Sequence, residues 1–210
     1  DHSSVCFPCL GARLAHLFPS DRRFVFCDCG TLPALSRDFF GNDWKAVPNI
    51  FPTVLKNACR DNMANITITC TDNIKSRLDL WNILKAVQIP DYRDYTTPLY
   101  WMDFGNTQTS GQVVLGTVPK KIKQPASQLY ETAGSLKVIT RLVKYARVKE
   151  EDSGPSCSLA EALERQDLFI NSTLAQLGCN ILWKMFRNGM IEHHGVFLNL
   201  GTMKVNPINI

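Results

Sequence analysis

Ile66-Thr-Ile-Thr-Cys-Thr-Asp-Asn-Ile-Lys-Ser-Arg77 is the stretch whose reading decides the fold. From Ile66 to Cys70 apolar and polar side chains alternate, the period-two pattern of a strand. After Thr71 the period changes. An amphipathic helix is predicted to about Val87, with Ile74, Leu78, Trp81, Leu84 and Ala86–Val87 as its buried stripe. Asp72 or Asn73 stands where an N-cap is expected, and Pro90 ends the helix. A strand followed at once by an acidic residue and a helix is the start of a β–α unit, and its carboxyl end is the usual ligand position of an open α/β sheet.

Working towards the C-terminus, Tyr100-Trp-Met-Asp-Phe104 reads as an apolar strand closed by Gly105-Asn106. Gln112 to Val118 makes a second strand, joined to the first as a hairpin. Lys120, Lys121 and Lys123 open an irregular or helical region through Val148, and Lys149-Glu-Glu-Asp-Ser-Gly-Pro155 is polar enough to require a surface loop. Ser158-Leu-Ala-Glu161 has the form of a capping box and starts a helical region of about thirty residues that ends at Gly189. Val196-Phe-Leu-Asn-Leu200, a Gly201-Thr202 turn and Met203 to Val205 form a closing hairpin. With a weaker strand and helix upstream, the order strand, helix, strand, helix, hairpin, helices, hairpin predicts an α/β domain with a mixed sheet.

Upstream the pattern is weaker. Thr53 to Met63 suggests a helix, Phe24-Val-Phe-Cys27 a buried strand, and Gly11 to Phe18 a short helical stretch. The whole chain has 210 residues, 45% of them hydrophobic and 20% charged, which excludes a disordered, collagen-like or coiled-coil protein. Lys plus Arg number 23 against 19 acidic residues. That surplus is too small and too dispersed for a nucleic-acid module. No apolar run approaches the roughly 20 residues of a membrane helix.

The eight cysteines are read as thiols of a reduced, cytoplasmic protein, because a chain of this length can build a core without disulfides. Cys70 and Cys179 fall in apolar patterns as small buried residues. Cys6-x-x-Cys9 and Cys27-x-Cys29 permit zinc, but the second spacing is wrong for a knuckle, and strand ends explain both. Asp72 likewise has two readings. It can cap the helix, or it can hold Mg²⁺ that bridges nucleotide phosphates, since Mg²⁺ takes hard oxygen ligands.

The phrase Cys70-Thr-Asp-Asn-x-x-x-Arg77 resembles the magnesium and nucleotide motif of the ThiF/MoeB superfamily, bacterial relatives of ubiquitin-activating enzymes. Phe39-Phe-Gly-Asn-Asp-Trp-Lys-Ala-Val-Pro48, Tyr100 to Asn106, Ser110-Gly-Gln-Val-Val-Leu-Gly-Thr117, Pro155 to Leu163 and Gly195 to Leu200 resemble the ThiF-like protein of PRTRC cassettes. The likeness runs from about residue 38 to the end. It implies a Rossmann-like fold and an adenylyltransferase that binds ATP–Mg²⁺. The C-terminal carboxylate of a small ubiquitin-like or sulfur-carrier protein would attack the α-phosphate, giving an acyl-adenylate and releasing pyrophosphate. By resemblance Asp72 coordinates the metal, Asn73 and Arg77 belong to the nucleotide motif, and the protein is a homodimer.

In many superfamily members a cysteine then takes the acyl group. Cys157 is the candidate nucleophile: it lies between the polar loop and the capping-box helix, where a helix N-terminus favours a thiolate. A structural cysteine near a helix start is the competing reading. His193 and His194, just after Gly189, are expected at a surface or hairpin position and not as catalytic groups.

The glycine-rich turn of the resembled family is missing. No G-x-G-x-x-G occurs, and the nearest candidate, Val5-Cys-Phe-Pro-Cys-Leu-Gly11, places Phe7 and Pro8 where small residues let a backbone approach phosphates. Asp28, after the Phe24–Cys27 strand, stands where a ribose-binding carboxylate would sit, and Arg37 is the only nearby cation. The expectation is one ThiF-like domain over 1–210, with 1–47 a degenerate or truncated nucleotide-binding half and 48–210 its recognisable part. The chain opens on Asp1, and the unit expected upstream amounts to roughly 40–60 residues. An impaired adenylyltransferase is therefore expected. The alternative is a non-catalytic scaffold or degenerate paralogue that binds a carrier protein or a partner subunit.

Overall fold

The structure, a computed structural model, describes residues 64–71, 73–86, 97–122, 126, 131–145 and 167–210. Their element order is β1 (Ile66–Thr69), α1 (Ile74–Ala86), β2 (Tyr100–Asn106), β3 (Ser110–Thr117), α2 (Ile139–Leu142), α3 (Ile170–Asn188), β4 (His193–Asn199) and β5 (Lys204–Asn209). The strands form one mixed sheet in the order β1-β2-β3-β4-β5. β1 and β2 are parallel, with Ile66 opposite Tyr100 and Thr69 opposite Asp103. All later neighbours are antiparallel. The α/β class and the mixed sheet expected from the sequence are therefore present.

Alternation along the strands divides the core in two. Ile68, Met102, Phe104, Val113, Leu115, Val196 and Leu198 face α3, where Ile170, Leu174 and Leu182 complete the cluster. The other face presents Trp101 and Val114 to Leu80, Trp81 and Leu84 of α1 and to Val138 and Ile139. Trp81 and Trp101 stack with ring centroids 5.7 Å apart. Burial of each such large apolar side chain contributes roughly 1.5–3 kcal/mol, so the sheet is held from both sides.

Local chemistry sets the ends of the elements. Asn73 caps α1, its Oδ1 accepting the backbone N–H of Ser76 at 2.7 Å. Gly189, at φ 70°, supplies the left-handed residue that stops α3. Gly116 lets the 136–138 segment lie across β3, because a Cβ there would stand 2.6 Å from Val138 Cα. The segment is tied by Thr117 N–H to Leu136 O at 3.1 Å and by Leu136 N–H to Thr117 Oγ1 at 3.0 Å.

Four expectations are corrected. The buried face of α1 is Arg77, Leu80, Trp81 and Leu84, while Leu78 is exposed; the stripe is rotated because a paired arginine occupies an inward position. The helical region before Gly189 is not continuous. At 167–169 the chain turns, the Asp167 carboxylate accepting Phe169 N–H at 2.9 Å, and α3 starts at Ile170. Gly105 and Asn106 continue β2, and the hairpin turns after them, with Thr107 N–H donating to Ser110 O at 2.7 Å. Met203 belongs to the last turn, in left-handed backbone at φ 54°, and β5 begins one residue later. The predicted 11–18 and 53–63 helices, the 24–27 strand, the 149–155 loop and the 158–161 capping box lie outside the described residues.

Candidate functional site

Because β1 and β2 are parallel, their carboxyl ends lie side by side, and the N-terminus of α1 follows directly from the first. Asp103, in the middle of β2, points into the interior between sheet and α1 and is 1% exposed. Arg77 comes to it from the first turns of α1. Its Nε lies 3.0 Å from Oδ1 and 2.9 Å from Oδ2 of Asp103. Thr69 Oγ1, on the neighbouring strand, donates to Asp103 Oδ1 at 2.9 Å and accepts Trp101 Nε1–H at 2.8 Å. The carboxylate thus takes a guanidinium and a hydroxyl, and the hydroxyl is itself fixed by an indole.

The rest of the guanidinium is spent on backbone. Arg77 Nη2 donates to Thr71 O at 2.9 Å and to Phe104 O at 3.2 Å. The Tyr145 ring lies beside it, with the guanidinium carbon 5.6 Å from the centroid. Gly105 leaves the room this needs: a Cβ there would stand 2.9 Å from Nη2 and would collide with Gln112 Nε2.

Electrostatics follow from burial and pairing. Burial pushes the Asp103 carboxyl up to about 6, with the Arg77 guanidinium and the Thr69 hydroxyl pulling the other way. Burial works against the Arg77 charge, but the Asp103 carboxylate, together with Tyr145 and Cys70, more than offsets it and holds the guanidinium protonated above its ordinary value. Burial raises the Tyr145 phenol to about 12, against the pull of Arg77, so it stays neutral. Its hydroxyl and that of Thr71 are both buried without a hydrogen-bond partner among the described residues.

Of the sequence-predicted site residues, Asn73 and Arg77 are brought to this corner of the sheet, the first exposed as a helix cap and the second buried as an ion-pair partner. Asp72, Asp28 and Cys157 lie outside the described residues, as do Arg37 and the Cys6, Cys9, Cys27 and Cys29 pairs. His193 and His194 belong to the closing hairpin, but inside β4. His194 is buried within that hairpin, its Nδ1 2.8 Å from Leu115 O. Cys179 is buried and Cys70 half-buried, both as thiols packed with the α3-side core.

Sequence reasoning missed Asp103, Thr69 and Tyr145. The available signal was an acid inside the apolar run Tyr100–Phe104, which a buried strand carries only when the charge is paired. Among the described residues no group of three His, Cys, Asp or Glu could hold a metal ion, and Asp103 is already committed to Arg77 and Thr69. No helix among them is long and apolar enough to cross a membrane. No known protein-family profile matches the chain, and no curated protein matches it.

Proposed function

We propose that this chain is a Rossmann-like domain of ThiF/MoeB type that binds ATP–Mg²⁺ and activates the C-terminal carboxylate of a small ubiquitin-like or sulfur-carrier protein, as a cytoplasmic homodimer. One observation carries the reading. The turn holding Cys70, Thr71 and Asn73 lies at the paired carboxyl ends of β1 and β2 and opens directly into α1, where open α/β sheets bind ligands. Thr71 is anchored through its carbonyl and Asn73 through its cap. In this reading Asp72 is the carboxylate that meets the metal on the nucleotide. Asp103 does not fit that role, because its oxygens are buried and occupied. The bound metal would neutralise phosphate charge, and the chain's own contribution is to hold the turn in place. Carrier-dependent exchange of pyrophosphate into ATP tests the proposal, and its absence together with absence of ATP–Mg²⁺ binding refutes it.

A specific observation favours the non-catalytic alternative. Two polar residues of the suspected nucleotide motif are used internally, Asn73 as a cap and Arg77 as a buried pair. A scaffold of this kind would retain a carrier protein in gel filtration while giving no heat with ATP–Mg²⁺ in titration calorimetry.

A further inference from the structure

We infer that Arg77 acts as a positioning residue: held by Asp103, it fixes the β1–α1 turn against the end of β2 and does not itself touch a ligand. The geometry supports this in three independent ways. First, the same guanidinium reaches carbonyls on both strands, Thr71 O after β1 and Phe104 O in β2, so it sets the separation of the two carboxyl ends. Second, its direction is fixed from behind, because Nε is engaged by both oxygens of Asp103 and that carboxylate is held by Thr69. Third, the neighbouring residue in β2 is a glycine, and any side chain there would press on Nη2.

A lysine cannot copy the arrangement. Its single ammonium could satisfy Asp103 or the carbonyls, but it lacks the planar fork that serves opposite sides at once. The turn would then keep its cap at Asn73 and lose its tie at Thr71. The proposed nucleotide reading enters only as what the turn is positioned to hold.

The test is amide hydrogen exchange by mass spectrometry on the full chain, for wild type, Arg77→Lys and Gly105→Ala, with ATP–Mg²⁺ affinity measured in parallel. Gly105→Ala removes no polar group, so it disturbs the fork without leaving a buried charge unpaired. Peptides covering residues 70–76 and 104–106 are expected to exchange about tenfold faster in Arg77→Lys, and by a smaller factor in Gly105→Ala, as the loss of charge-assisted hydrogen bonds predicts. Peptides from α3 and β4 are expected to accelerate by a clearly smaller factor than the turn, the part that reflects the pair's share of global stability. Weaker ATP–Mg²⁺ binding in both variants extends the inference to ligand binding. If the wild type binds no ATP–Mg²⁺ while the local exchange pattern appears, the positioning role stands and the nucleotide reading falls. Equal acceleration throughout α3 and β4, or no change at residues 70–76, overturns the inference, because the pair would then be a general stability element.

Discussion

Replacing Asp103 by alanine tests the centre of the site most directly. The substitution removes both oxygens that receive Arg77 Nε and the acceptor of the Thr69 hydroxyl. The Arg77 side chain is 7% exposed, so water cannot easily replace the carboxylate. Removing one partner of a buried pair leaves an uncompensated charge and costs about 3–5 kcal/mol. That is a large share of the roughly 5–15 kcal/mol that separates a folded domain from its unfolded chain. Removing both charges in Asp103→Ala/Arg77→Met spares the unpaired guanidinium, but the carbonyls of Thr71 and Phe104 still lose their donor. The double variant should therefore be less stable than wild type, yet about 2–4 kcal/mol more stable than the two single losses added together. Urea unfolding followed by circular dichroism gives the cycle, at about pH 8, where Asp103 is ionised in the fold. A cost under about 1 kcal/mol for Asp103→Ala, or strict additivity in the cycle, would refute the view that Arg77 and Asp103 depend on each other.

Further expectations concern the surrounding framework. Burial lowers the pKa of His194 below 6.5, with its bond to Leu115 O acting against that fall. The neutral ring therefore stabilises the fold above pH 6.5, and this contribution is lost as pH falls through the folded value. His194→Asn should flatten the decline of the urea midpoint on acidification, and an unchanged decline would discount the residue. Gly116→Ala forces a Cβ against Val138 backbone, which cannot swing away as a side-chain tip could; a loss of about 1–3 kcal/mol in thermal or urea unfolding is expected. Met203→Gly relieves left-handed backbone at an 82% exposed position. It should raise stability by about 0.5–1 kcal/mol, and a lower melting temperature would contradict that account.

The framework was legible where local chemistry determines it. Alternation from Ile66, a polar cap and a helical period identify β1 and α1, and Gly189 marks the end of α3. The inward face of α1 was not legible, because hydropathy assigns arginine to solvent. Arg77, Leu80, Trp81 and Leu84 have helical i, i+3, i+4, i+7 spacing only when the charged residue is counted as buried. The reason to count it so is Asp103, 26 residues away and visible only once β2 lies beside β1. Tyr145 was illegible for the same reason, since it reaches Arg77 through tertiary packing and not through any local motif. Asn73, another polar residue of the motif, behaves as propensity alone predicts.

The join between β3 and β4 has a consequence for how the chain folds. β2–β3 and β4–β5 are each closed by a short turn, but Ser110 and Asn199, which meet at the join, are 89 residues apart. Loop-closure entropy grows with that separation, so each hairpin is expected to gain its own contacts before the two meet. α3 then spans the join, packing on strands of both hairpins. In stopped-flow experiments Val196→Ala should slow refolding more than it speeds unfolding, whereas an Arg77 variant should act mainly on unfolding; the reverse partition would assign the slow step to the parallel pair. Among the described residues the expected kinetic units are two hairpins and a clasp, and the buried His194–Leu115 bond lies on the line where they close.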